Sequence, residues 1–464
     1  MRMSIRRIAG AIGAQMPGEA LAATEVTGLS TDTRSLRPGD LFLALSGERF
    51  DGHEFVAASL AAGAAAAVVS RVPFGVRPDS LLVVSNTLAA LSQIARSWRR
   101  EFDIPVIAVT GSVGKTSTKE LIACALKPLG PVLRTDRNEN NEIGLPKTLL
   151  RLTEKHRAAV VEMGMRAAGQ IQDLTRIAEP TIGVITLIGE SHIELLGSRD
   201  AIADAKSELF EWLAGSHGVA VFNAGDDYAS VLGETAGKRM MTFVDSEAFP
   251  DSCADFRLID ARRAANGWGG TASGPGGVVF ELQVASPARH DLVNALGAVA
   301  VAVAAGVSPE DAARGIDAYR TGPMRMEILS TPSGASILSD CYNAAPTSMR
   351  AALDTLAAGK ATGRKIAILG DMKELGSHSL QMHEDIARRA WELGLTELYV
   401  VGQDFGRVAG NAKRKFETSV DAARFAAQEL APTAGDFVLV KGSRSMAMER
   451  IVEALLAAGG GSVS

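Results

Sequence analysis

The chain reads as an α/β protein of three domains: a small α/β domain, a central parallel-sheet domain carrying a phosphate loop, and a C-terminal α/β domain. Three observations predict this. At 464 residues the chain is about three times a typical domain of ~150 residues. Short, near-continuous Val/Ile runs alternate with helical stretches through its middle, the pattern of a parallel sheet covered on both faces. Near residue 320 that alternation restarts.

In order along the chain, Ile5, Ile8 and Ile12 recur at helical spacing. This argues against a signal peptide in MRMSIRRIAGAIGA, whose apolar part is weak and short. GLSTDTRSLRPGDLFLAL and FDGHEFVAASLAAGAAAAVV then read as strands, turns and a helix. A helix over 87–102 closes this region before Pro105. Residues 104–110 (IPVIAVT), 158–162 (AAVVE) and 182–186 are buried parallel strands. The Gly-rich stretch 250–289 carries a strand at 278–284 and reads as a hairpin excursion, followed by an Ala-rich helix at 292–305. Residues 365–369, 397–401 and 437–440 are the strands of the last domain.

Composition narrows the function. An apolar fraction of 47% and a charged fraction of 22% exclude a disordered chain. With 48 Lys+Arg against 53 Asp+Glu, net −5, no basic field exists to hold nucleic acid by its phosphates. The Ala-rich apolar runs 60–69 and 295–307 fall short of the ~18 residues a membrane span needs. Cys124, Cys253 and Cys341 fit neither a metal pattern nor a disulfide framework, and are expected as small buried residues in a reducing compartment. A soluble, cytoplasmic, monomeric protein without membrane insertion is the expectation.

The sharpest local signal is GSVGKTST, with Gly111, Ser112, Val113, Gly114, Lys115, Thr116 and Ser117 between the strand IPVIAVT and the helix KELIACAL. Glycines let backbone N–H groups turn inward, and the helix N-terminus adds a positive dipole end. Lys115 is placed to reach β/γ-phosphates and the Thr116 hydroxyl to bind Mg²⁺. Val109 stands where the longer form of this loop has its first Gly. Glu162 ends a buried strand of the same sheet, where open α/β sheets place ligands, and offers a hard oxygen for Mg²⁺.

TGSVGKTS resembles the shortened phosphate loop of the ATP-dependent Mur ligases of peptidoglycan synthesis. The resemblance continues in family order through STDTRSLRPGDLFLALSGERFDGHEF, NENNEIGLPKTLL, VVEMGMRAAGQI, IGESHIELLGS, AIADAKSELF, CYNAAPTSM and ILGDMKELG. Within the family the pattern is similar to the ligase that adds D-alanyl-D-alanine to UDP-N-acetylmuramoyl-tripeptide through an acyl phosphate. DGHEF, NENNEIG and YNAAP favour it over a sister ligase or a folylpolyglutamate-type synthetase. A nucleotide-dependent binding module without ligase chemistry would not need both Lys206 and His192.

The resemblance implies a division of labour. Residues 1–85 would bind the UDP-sugar, 86–319 the ATP, and 320–464 would form a Rossmann-like domain closing over the nucleotide. It assigns His192, by itself a surface or packing residue, to a second Mg²⁺. Lys206, by itself a solvated position on an amphipathic helix, would be carbamylated into an anionic ligand. Asn294 would contact the base, Arg325 would neutralise phosphate charge, and Asp340 would accept from the ribose, with Tyr342 and Asn343 alongside. Lys115, Glu162, His192, Lys206 and Arg325 would be the catalytic set. Thr31, Asp32, Thr33 and Arg34, with residues 45–47 (including Ser46 and Gly47) and 51–53, would hold the uridine diphosphate end. Asn138, Asn140 and Asn141 would face the substrate nearer the reaction centre, although such residues also favour turns. Three positions depart from the family pattern: Leu187 and Ala345 replace Asn, and Met324 stands where Gly is frequent.

Overall fold

The computed structural model describes residues 1–15, 18–48 and 50–458, so the last six residues of the 320–464 span lie outside the described residues. Three parallel sheets organise the chain. The first has the strand order Leu29–Ser30, Leu41–Leu43, Ala66–Val69, Leu81–Val83, all parallel. The helix Ile5–Ile12 precedes it, capped by Ser4 and burying Ile5, Ile8 and Ile12 as their spacing predicts.

The central sheet runs Val132–Arg134, Ala158–Glu162, Val106–Thr110, Ile182–Ile185, Val219–Asn223, Met240–Asp245, Phe256–Leu258 in parallel. Every residue of Val106–Thr110, Ala158–Glu162 and Ile182–Ile185 is buried, which is why they read as unbroken apolar runs. The Gly-rich stretch is more than an excursion. Its hairpin Gly267–Ser273/Val279–Val284 and the strand Arg262–Ala264 extend the central sheet in antiparallel fashion.

The helix Arg289–Ala304 begins earlier than its Ala-rich run. Leu292 and residues 295–302 are all buried. Their small side chains let it sit between the helix Lys115–Ala125 and the strand Met240–Asp245. The helix Thr87–Arg99 stops short of 102 because Phe102 turns back to stack edge-on against Trp98. Arg99, itself buried, donates to the carbonyls of Phe102, Ala178 and Glu179, satisfying a helix end in the central domain.

The third sheet runs Glu327–Ser330, Ser336–Asp340, Phe437–Lys441, Lys365–Gly370, Glu397–Val401, Arg414–Phe416, parallel except for the first pair. The cysteine expectation needs correction. Cys341 is buried and its thiol is pushed up to about 12 by burial, but Cys124 is only part-buried and Cys253 is exposed. Cys253 lies in the segment connecting the strands Met240–Asp245 and Phe256–Leu258. Among the described residues no helix is long and apolar enough to cross a membrane.

Candidate active site

A cleft of about 1230 Å³ opens at the C-terminal ends of the central strands and is closed on one side by the third domain. Its floor is the phosphate loop. Gly111 (φ 144°) could carry no side chain, because a Cβ would fall 1.9 Å from Thr186 Oγ1. Gly114 (φ 85°) turns the chain into the helix Lys115–Ala125. Thr186, which sequence reasoning missed, donates its hydroxyl to the Val113 carbonyl at 2.6 Å and fixes the loop's curvature. Lys115 is folded onto its own loop, donating to Gly111 O (2.6 Å) and Ser112 O (3.4 Å). Ser117 meets the buried Tyr319 hydroxyl.

Glu162 is 3% exposed, and both of its oxygens are claimed. Thr116 Oγ1 donates to Oε2 at 2.9 Å and Asn140 Nδ2 to Oε1 at 2.8 Å. Two hard oxygens beside Lys115 suit Mg²⁺, which takes one or two protein oxygens and completes its shell with phosphate and water. Among the described residues there is no group of three or more His, Cys, Asp or Glu side chains that could hold a metal ion. Asn138, Asn140 and Asn141 all line the cleft. Asn141 also accepts from Gly144 N at 2.9 Å, the turn role its residue type favours.

His192, in the left-handed region (φ 69°), lines the cleft with Nδ1 2.6 Å from Glu374 Oε2 of the C-terminal domain. Burial holds its pKa below the ordinary value, with Lys115 and Lys206 acting in the same direction against Glu374. Lys206 is not the solvated lysine its helix suggests. It is 1% exposed and, among the described residues, makes no hydrogen bond or ion pair. Desolvation, reinforced by Lys115, drives its pKa well below the usual lysine value. Lys115 is likewise lowered, by burial first and against the pull of Glu162. The site therefore gathers three basic groups whose pKa values are all held below their ordinary values.

Asn294 sits beside the loop, its amide 3.6 Å from where a Gly114 Cβ would stand. Beyond it a lobe is lined by Asn223, Asp245, Phe249 and His290. Arg325, Asp340, Tyr342 and Asn343 line the opposite wall. The Arg325 guanidinium stacks 3.9 Å from the Tyr342 ring centre. Asp340 is engaged by Lys441 Nζ at 2.6 Å, and Lys441 also donates to Asn343 O at 2.8 Å. Lys441 was missed, although a lysine ending the apolar run FVLVK is the same signal that singled out Glu162.

The first domain's block stands apart. Thr31, Asp32, Thr33, Arg34, Ser46 and Gly47 do not line the cleft. Asp32 pairs with Arg34, which holds its carboxyl down at about 2. Ser46 donates to Asp51, which also accepts from His53 N. The three departures keep their backbone roles. Leu187 O accepts from Ser112 N at 2.8 Å. Ala345 precedes the helix Pro346–Ala358, and Ser348 Oγ accepts from its N–H and donates to its C=O, fixing the backbone there without a side-chain cap. Met324 adopts φ 58°, the left-handed conformation that explains a glycine preference there.

Family models described as the Mur ligase family catalytic domain, the Mur ligase middle domain and the Mur ligase glutamate ligase domain match residues 25–106, 109–302 and 324–444. The UDP-N-acetylmuramoyl-tripeptide--D-alanyl-D-alanine ligase of Bacillus subtilis (strain 168) is 36% identical over 464 residues, covering 98% of this chain and 99% of that protein. A crystal structure of MurF from Acinetobacter baumannii has a TM-score of 0.87 at 34% identity, covering 98% of this chain and 99% of that one. The MurF ligase from Thermotoga maritima, solved in complex with ADP, has a TM-score of 0.83 at 27% identity over 93% of this chain and 97% of its own. With the likeness running through all three sheets and the loop between them, the chain belongs to the Mur ligase family.

Proposed function

We propose that this chain is an ATP-dependent ligase joining D-alanyl-D-alanine to UDP-N-acetylmuramoyl-tripeptide, acting as a cytoplasmic monomer. The full-length likeness to ligases of that name supports the substrate class. The observation that carries the chemistry is Lys206, a buried lysine without a counter-charge beside Lys115 and His192. Its depressed pKa supplies the neutral amine that addition to CO₂ requires. Carbamylation would replace that amine with an anion facing Lys115 and His192.

In this reading the first domain, 1–85, holds the UDP end, with Thr31, Asp32, Thr33, Arg34, Ser46 and Gly47 as its contacts. The central domain, 86–319, holds the ATP phosphates on the loop from Gly111 to Ser117, and the domain from 320 onward closes over them. Asn138, Asn140 and Asn141 steer the peptide carboxylate toward the γ-phosphate. The lobe past Asn294, with Phe249 and His290 at hand, takes the base, while Arg325, Asp340, Tyr342 and Asn343 form the wall against ribose and phosphates. Thr116 and Glu162 are the oxygens for one Mg²⁺, and His192 with carbamylated Lys206 the donors for a second. Bound there, Mg²⁺ supplies Lewis-acid stabilisation of the charge spread over the transferred phosphoryl group.

The chain's own work is positioning and charge neutralisation. Lys115 turns from its loop carbonyls to the phosphates as the tripeptide carboxylate attacks the γ-phosphorus and ADP leaves. The third domain excludes water from the acyl phosphate. The amine of the dipeptide then attacks the acyl carbon, and phosphate departs as the amide forms. The test is phosphate release with the UDP-tripeptide and D-alanyl-D-alanine, compared with single amino acids and glutamate. Lys115→Ala should abolish release with the fold intact. Near-normal turnover in that variant overturns the assignment.

A further inference from the structure

The loop after the strand Ile182–Ile185 makes an unusual set of contacts. On one side it is strapped to the phosphate loop. Ser112 N donates to Leu187 O (2.8 Å), Ser112 Oγ to Gly189 O (3.2 Å), and Ser191 Oγ to Ser112 O (3.1 Å). On the other side it meets the helix Pro346–Ala358, the first of the C-terminal domain. Thr347 Oγ1 donates to Glu190 Oε2, and Arg350 donates to Glu190 Oε1 at 2.7 Å. Arg350 also reaches Thr347 Oγ1 at 3.3 Å, closing a triangle across the domain boundary.

Gly189 lies at the meeting point. A Cβ there would stand 3.1 Å from Thr347 Oγ1 and 3.5 Å from Ser112 Cβ, so phosphate loop, connecting loop and C-terminal helix touch at one residue. The Glu190 side chain is 13% exposed. Burial alone pushes its carboxyl up, yet Thr347 and Arg350 hold it below the usual carboxylate range. Its side-chain hydrogen-bond partners Thr347 and Arg350 belong to the other domain, while its own backbone N–H also faces the carboxylate. Neither Glu190 nor Arg350 lines the cleft. Two residues further along, His192 and the Glu194 N–H are both met by Glu374 of the C-terminal domain.

We propose that Glu190 is a positioning residue that couples closure of the C-terminal domain, through Thr347 and Arg350, to the setting of the phosphate loop at Ser112 and of His192. This rests on the reading that the phosphate loop takes ATP. The mechanics follow from the contacts. When the helix Pro346–Ala358 docks, Glu190 is drawn to it, and the hydrogen bonds at residues 187, 189 and 191 carry that position to the loop. When the domain swings away, the carboxylate loses Thr347 and Arg350, so in the open state the connecting loop is no longer tied to the C-terminal helix.

The test is a double-mutant cycle with Glu190→Gln and Arg350→Met. Each single variant is expected to lower kcat for ligation about ten-fold with KM for ATP changed less than about three-fold, and the double variant to fall no further than the worse single. Losses that multiply to about a hundred-fold, or singles that keep wild-type kcat, overturn the proposal. A second readout is the radius of gyration by small-angle scattering with and without a non-hydrolysable ATP analogue and Mg²⁺. Wild-type compaction that is weakened in both singles and no weaker in the double supports the coupling, and unchanged compaction in the singles overturns it. If the wild type supports no ligation at all, the functional reading falls while the scattering cycle still decides the coupling. Both variants lie outside the cores, and unfolding midpoints within about 2 °C of wild type confirm intact folds.

Discussion

Two buried lysines, Lys206 near Lys115 and His192, and Lys441 in the cleft wall, are 1% and 2% exposed. Lys441 of the C-terminal domain ends a buried strand and is saturated, with Asp340 Oδ2 at 2.6 Å and the Asn343 carbonyl at 2.8 Å. Lys206 of the central domain lies on the helix Arg199–Ser216 with two further basic groups near it and no acid against it. Burying a charge costs heavily unless it is paired. The paired lysine fastens two segments of the wall together, whereas the unpaired one is buried with its pKa held well below the usual lysine value.

This contrast can be broken by experiment. The largest expected effect is on turnover. Lys206→Met should lower ligase activity on the order of 10³-fold, measured by phosphate release, while leaving thermal stability equal to or above wild type. Activity within ten-fold of wild type would falsify a chemical role for this amine. Lys441→Met should do the reverse to stability. Stranding Asp340 should cost about 3 kcal/mol, read from urea unfolding of the full chain, with a large part returned when Asp340→Asn is added. A neutral Lys441→Met would place the pair among contacts that contribute nothing.

A pH series sharpens the comparison further. Lys206 has its pKa lowered in the folded state, so between that value and the unfolded value of about 10.4 the unfolded chain binds the extra proton. Wild-type stability is therefore penalised at lower pH and the penalty fades as pH rises. The stability gain of Lys206→Met over wild type should be largest near neutrality and shrink toward pH 10, checked by unfolding midpoints across that range. A gain that grows with pH contradicts an unpaired cation. The smallest effect concerns the backbone beside Asp340, which accepts from Met326 N in a segment where Met324 and Met326 are both left-handed. In the Lys441→Met background, Met324→Gly should recover about 0.5 kcal/mol, strain relief outweighing the added chain entropy.

The parts of the site that were legible in the sequence are those built from neighbours along the chain. The phosphate loop needs a buried strand, two permissive glycines and a helix start, and all lie within 106–125. Glu162 was found because a carboxylate ending a fully apolar strand has a defined place in an open sheet. Lys441 carried the same signal at the end of the strand Phe437–Lys441 and was passed over, since a terminal lysine on a strand also reads as a solvated end. The antiparallel extension after residue 258 reads in the sequence as a hairpin excursion because the glycine-rich strand Gly267–Ser273 carries too little alternation to declare a sheet partner. The exposure of Cys253 was misjudged because a lone cysteine carries no periodicity that tells a connecting segment from a core position.

By itself the sequence determined the α/β class, the order of the sheets and the chemistry of the loop that runs from Gly111 to Ser117, because each depends on periodicity and on contacts within a few residues. Only the tertiary structure decided which lysine has an acid and which has none, and that Glu190 reaches a helix 160 residues away. Such facts depend on which side chains converge after the sheets pack. The low dielectric of that packed interior then turns a one-residue difference in partners into opposite properties for the same amino acid.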